Sequence, residues 1–146
     1  MSKDDASLPE DLFEQKRGLL LEIMMHVGSI QGRTRLQKMI FLAQEELGLP
    51  HVFDFKKYHY GPYSWDLTET VERMLARGEI EEQVESRGDS IRYTYSASKD
   101  AGKAEPIPAP EISAKALEML KKLSEIPITA LLDYVYRKYL PERCKA

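Results

Sequence analysis

Between Gly32 and Gly48, residues Leu36, Met39, Ile40, Ala43 and Leu47 recur at the three- and four-residue spacing of one helix face. Thr34 with Gln37 three residues on has the pattern of a capping box, and Gly48 and Pro50 close the helix. This helix frames what lies on either side. Upstream, Ser7 precedes Pro9, Glu10 and Asp11, which is a cap, a first-turn proline and carboxylates at the positive end of a dipole. Leu20, Ile23, Met24 and Val27 then keep helical spacing until Gly28 and Gly32. Downstream, Phe53 and Phe55 alternate with Asp54 and Lys56, so 51–60 reads as a short strand that Gly61-Pro62 breaks. Ser64 caps a third helix with Leu67, Val71, Met74 and Leu75 inward and Gly78 at its end. Alternation returns at Ile80 and Val84, and again at Ile91, Tyr93 and Tyr95, on either side of a turn at 86–90, which is a β-hairpin.

Residues 98–110 hold three prolines, small residues and charges, and read as a linker. Two helices follow. Ala116, Leu117, Leu120 and Leu123 line one; Pro127 starts the other, Ile128, Leu131, Leu132, Val135 and Tyr139 line it, and Pro141 stops it. The order helix, helix, strand, helix, β-hairpin predicts an α+β, mostly α fold. It is a winged helix-turn-helix with two additional C-terminal helices. The division expected is a flexible tail at 1–8, a winged-helix domain at 9–97, the linker, and a helical pair at 111–141 that packs on the domain or dimerises. The recognition helix falls at 64–77 and the wing tip at Arg87-Gly88-Asp89. A chain of 146 residues with 42% apolar and 31% charged residues buries a core without staples. Its one cysteine, Cys144, excludes an internal disulfide and a cysteine zinc cage. The most apolar run, 18–28, carries Glu22 and His26 and is too short to span a bilayer. With no export signal at the N-terminus, a cytoplasmic location without membrane contact is expected.

Two segments resemble a known group. Gly32-Arg33-Thr34-Arg35-Leu36-Gln37-Lys38 followed by Ile40-Phe41-Leu42-Ala43-Gln44 is similar to a segment of the Panacea antitoxin-like domains and of small uncharacterised bacterial and archaeal proteins related to them. Tyr60-Gly61-Pro62-Tyr63-Ser64 with Leu67 resembles a second segment, and Leu131 to Tyr136 with Tyr139 and Pro141 resembles their C-terminal helix. The resemblance covers roughly 20–141. It implies a winged-helix-like regulatory or interaction domain and no enzyme.

Four features carry the functional expectations. Arg33, Arg35 and Lys38 crowd the start of the second helix, where cations oppose the dipole at a cost of about 0.3–1 kcal/mol. A phosphate is one way to offset that, with Lys56 and Lys57 extending the patch; a solvated polar face is the plain alternative. On the third helix Arg73 is placed to read guanine, against a simple pairing with Glu69 four residues away. Six of the thirteen aromatics fall between Phe53 and Trp65. Phe53, Phe55 and Trp65 are expected in the core; Tyr58 and Tyr63 are evenly balanced between core and interface. Arg87 and Arg92 in the wing reach for phosphates, although Glu79, Glu81, Glu82 and Glu85 beside them oppose it.

Val135, Tyr136 and Tyr139 offer more apolar surface than one contact face requires, which suggests a homodimer. Catalytic, metal and cofactor sites are not expected: His26, His51 and His59 lack ligand spacing, and there is no nucleophile elbow or phosphate loop. The leading expectation is a regulator that binds double-stranded DNA. The alternative is a protein-interaction module of the antitoxin or adaptor kind. Charge divides unevenly between the two: residues 61–100 carry five basic and nine acidic side chains, whereas 33–60 carry five and three.

Overall fold

Gly28 and Gly32 sit at φ +98° and +100°, a region that side chains with a Cβ rarely adopt. Between them the chain has only three residues in which to leave one helix and enter the next, and it does so extended. In the computed structural model, which describes residues 9–58, 61–103, 106 and 110–140, helix α1 (Pro9–Val27) therefore passes through strand β1 (Ile30–Gln31) into α2 (Arg33–Glu46). Strand β1 is too short to show a period in sequence and was not anticipated. The expected Ser7 cap, the 1–8 tail and Cys144 lie outside the described residues.

A second correction concerns 51–63. The expected strand across 51–60 begins only at Lys56: β2 (Lys56–Tyr58) pairs antiparallel with β3 (Gly61–Tyr63), so Gly61-Pro62 lies inside a strand. Glycine is required there by a close approach. At φ +107°, a Cβ on Gly61 would lie 3.0 Å from the Tyr136 ring and 3.3 Å from Lys38 Cε. Helix α3 (Trp65–Ala76) then starts at Ser64, whose side chain accepts from the Leu67 N–H as expected. Strands β4 (Ile80–Arg87) and β5 (Ser90–Ala97) meet at a two-residue turn, with Gly88 at φ +59° in its first position. Strand β1 adds to the other side of β5, Ile30 opposite Tyr95 and Gln31 opposite Thr94, to give a three-stranded sheet of order β1-β5-β4.

Helices α4 (Ala114–Glu125) and α5 (Ile128–Tyr139) complete the chain. Leu120, Leu131 and Val135 are fully buried in the same apolar cluster as Leu20, Ile23, Met39, Leu67 and Met74. Each such side chain contributes about 1.5–3 kcal/mol by leaving water. The C-terminal pair thus packs on α1 and α2. Among the described residues the fold is α+β, with five helices and two small antiparallel sheets.

From Arg35 to Gln44 helix α2 is enclosed on all sides: Arg35, Gln37, Lys38 and Gln44 are buried along with its apolar stripe. Its N-cap is Gly32 with no side-chain cap bond, so the expected Thr34–Gln37 capping box does not form. Gln37 is engaged elsewhere. Its amide pairs with both backbone groups of Ser64 (2.8 and 3.0 Å), and Gln44, two turns on, pairs the same way with Phe53 (2.9 and 3.0 Å).

Candidate functional site

The cations expected to form one basic face are dispersed by the fold. Arg35 and Lys38 are corrected outright, because the central position of α2 turns both inward. Arg35 Nη1 donates to the carbonyls of Leu123 (2.9 Å) and Ile126 (2.8 Å), and Nε to Gln31 (3.2 Å). Burial lowers its pKa from the ordinary value. Lys38, 2% exposed, donates to the Pro62 carbonyl at 2.9 Å, and burial holds its ammonium at about 8. Both clamp backbone rather than face solvent.

Arg33 alone of that trio stays outside. Its guanidinium lies 3.8 Å above the Tyr93 ring, donates to Tyr95 Oη at 3.1 Å and stands 3.9 Å from Glu82. The Tyr95 hydrogen bond raises its pKa against the opposing effect of burial. On α3, Arg73 turns back over the Phe13 ring of α1 at 3.7 Å. Arg87 stands 3.9 Å from Glu85, and half-buried Arg92 faces Glu85 across the ladder. Lys56 pairs with Asp54 at 3.1 Å, and Lys57 is exposed beside it.

The aromatic residues divide differently from expectation. Phe53 is buried, and half-buried Phe55 meets Phe41 edge-on at 5.4 Å. Trp65, expected inside, is 59% exposed. The buried residues of α3 include Leu67, Val71 and Met74, and Trp65, two positions before Leu67, projects to the other side. Its ring stacks edge-on with Tyr63 at 4.9 Å, and Tyr63 with Tyr58 at 6.5 Å. Tyr63 Oη and Thr68 Oγ1 share a hydrogen bond of 2.7 Å, which fixes the ring beside α3.

Beside Tyr63 a cleft of about 250 Å³ opens between α2, α3 and the β4–β5 hairpin. Leu36, Leu67, Val71 and Leu75 form its apolar lining; Tyr63 and Tyr95 flank it; Arg33, Glu72 and Glu82 supply its charges. Exposed Glu69 extends the acidic side of α3, and exposed Glu81 and Glu85 stand on the opposite face of the hairpin from Glu82. The surface around the exposed tryptophan is thus aromatic at one end and acidic at the other.

The residues expected at a dimer seam are used within the chain. Val135 is fully buried, Tyr136 is half-buried against the core, and Tyr139 packs edge-on to Phe41 at 4.8 Å. Tyr139 Oη also donates to Glu46 at 2.5 Å, joined there by Tyr134 Oη (2.8 Å) and Lys138 (3.0 Å). Burial alone would raise the Glu46 pKa; hydrogen bonds from Tyr139, Lys138 and Tyr134 outweigh it and lower the value.

Sequence reasoning missed this cluster, although Tyr134 and Lys138 stand one helical turn apart. It also missed Arg17, which is fully buried and bonds Glu79 at 2.6 Å across 62 residues; no local pattern marks such a pair. His26 is exposed in the last turn of α1, and His51 lies 3.4 Å from Glu45. Among the described residues no group of three or more histidine, cysteine or carboxylate side chains is placed to hold a metal, and no helix is long and apolar enough to cross a membrane.

No protein-family model and no solved structure matches the chain. It is 34% identical over 80 residues to the uncharacterised protein YwgA of Bacillus subtilis strain 168. The match covers 55% of this chain and 48% of YwgA, so it spans about half of that relative.

Proposed function

We propose that the chain is a winged-helix protein-interaction module of the antitoxin or adaptor kind, and that its working face is the outer side of α3 with the β4–β5 hairpin as wing. The winged-helix reading is supported by the strand order β1-β5-β4 behind three helices. The observation that carries the interaction reading is Trp65, 59% exposed and held edge-on by Tyr63. A rigid aromatic pair on the surface is what protein interfaces use as an anchor, because it buries a large area and loses little side-chain entropy. The relation to the Panacea antitoxin-like domains stands on the sequence segments alone and agrees with a binding role.

Charge favours a protein partner over duplex DNA. A recognition helix with Glu69 and Glu72 outward, and a wing with Glu81 and Glu85 exposed, repels phosphates. One observation favours DNA: the N-terminus of α2 has no side-chain cap and lies beside Arg33 and Arg92.

Fluorescence anisotropy with a labelled mixed-sequence duplex separates the two readings. At low salt the protein is expected to give no saturable binding at micromolar concentration. Panning a random-peptide display library on the immobilised chain is expected to yield peptides whose affinity falls at least tenfold in Trp65→Ala. Duplex binding that weakens steeply with salt and is lost in Arg33→Glu overturns the proposal, as does a library that yields no peptide.

A further inference from the structure

The cleft beside Tyr63 has a composition the interaction reading does not by itself explain. Its lining joins four aliphatic side chains, Leu36, Leu67, Val71 and Leu75, to Gln37 and Thr68, which hydrogen-bond each other, and to two tyrosines, while its rim carries two carboxylates and one guanidinium. The guanidinium is already committed: Arg33 lies on the Tyr93 face and bonds Tyr95 Oη. Glu82 is 3.9 Å from it, too far for a hydrogen bond, and Glu72 makes no ion pair or hydrogen bond among the described residues. The rim is therefore net negative, with one carboxylate unmatched.

We propose, resting on the interaction reading above, that this cleft receives a lysine or arginine side chain from the partner protein. A long basic side chain has the two parts the cleft asks for: a methylene stem for the aliphatic lining and a cationic head for Glu72 and Glu82. The volume of about 250 Å³ lies below the usual range for a drug-sized ligand, so it suits one side chain rather than a free metabolite. An anion is disfavoured, because Arg33 is spent and the carboxylates repel it. Exposed Glu69, one turn before Glu72 on α3, adds to a negative field that draws a basic side chain in and rejects an acidic one. The partner segment accordingly presents an apolar residue to Trp65 and a basic residue one cleft away.

Nitrogen-15 NMR of the full chain tests the cleft with N-acetyl-lysine methylamide, its norleucine counterpart and N-acetyl-glutamate methylamide. The lysine compound is expected to shift the Leu36, Val71 and Leu75 amides saturably, norleucine at least tenfold more weakly, and glutamate not at all. Glu72→Gln, a change at an exposed and unpaired side chain that leaves the fold intact, should weaken lysine binding several-fold; adding Glu82→Gln should bring the loss to at least tenfold. Equal binding of norleucine, saturable shifts only elsewhere, or no saturable shift with lysine overturns the cleft assignment. Display-selected peptides separate this failure from that of the parent reading. Peptides lost in Trp65→Ala but indifferent to the double glutamine variant overturn the cleft and leave the interaction module standing; duplex DNA binding with no selected peptide overturns both.

Discussion

The two hairpins of this molecule are held in opposite ways. The β2–β3 ribbon has three residues per strand, too few to persist alone. Helix α2 supports it from beneath, with Lys38 on the Pro62 carbonyl and Gln37 and Gln44 gripping the backbone at Ser64 and Phe53. The β4–β5 hairpin has eight residues per strand and an unbroken register from Ile80–Ala97 to Arg87–Ser90. It is anchored in its inner half, by Ile80, Tyr95, the Arg17–Glu79 pair and the pairing of β1 with β5, and its outer half is exposed. A ladder that supports itself leaves its side chains free for surface chemistry. A ribbon too short to do so takes polar side chains out of circulation in its neighbour.

The comparison breaks most severely at the root of the long hairpin. Arg17→Leu removes the closer of the two guanidiniums at buried Glu79, leaving Arg77 at 3.5 Å, and is expected to cost up to about 3–5 kcal/mol in urea unfolding. A loss under 1 kcal/mol shows that the root does not depend on this pair. Next comes the short ribbon. Gln37→Leu orphans a buried N–H and a buried carbonyl at Ser64, at about 1–3 kcal/mol each. Its signature is faster hydrogen exchange at β2 and β3 with β4 and β5 unchanged.

The pH dependence sharpens the same contrast. Lys38 titrates at about 8 when folded against an ordinary 10.5, so between those values the unfolded chain binds more protons. Its contribution therefore makes stability rise with pH across that window: the cost of burying the ammonium is fully present below about 8 and relieved above it. Lys38→Met should flatten this limb of the stability profile; an unchanged slope refutes the assignment. The smallest effect belongs to the hairpin tip. Val84 and Ile91 are 57% and 58% exposed, and threonine at either should change stability by no more than about 0.5 kcal/mol.

What was legible in the sequence follows from range. Periodicity over ten or more residues located all five helices, and the Ser64 cap was read correctly because its partner is three residues away. Strand β1 was hidden because two residues have no period. The inward turn of Arg35 and Lys38 was hidden for another reason. Cations at the start of a helix look solvated unless the carbonyls they serve are known, and those belong to β3, α4 and the turn after it. Trp65 is the avoidable error. Its two-residue offset from Leu67 places it away from the inner face, so its exposure is legible in the helical geometry.

Arg35 has a consequence for how the chain is made. The carbonyls it holds, at Leu123 and Ile126, lie 88 and 91 residues further along. During synthesis α2 leaves the ribosome long before its acceptors exist; at roughly 5–20 residues per second the delay is about 4–18 seconds. Through that interval the guanidinium stays hydrated and α2 lacks the lid that α4 supplies. The first hundred residues therefore wait on the last forty, and a nascent chain stalled before α4 presents the apolar flank of α2 to whatever binds unfinished proteins.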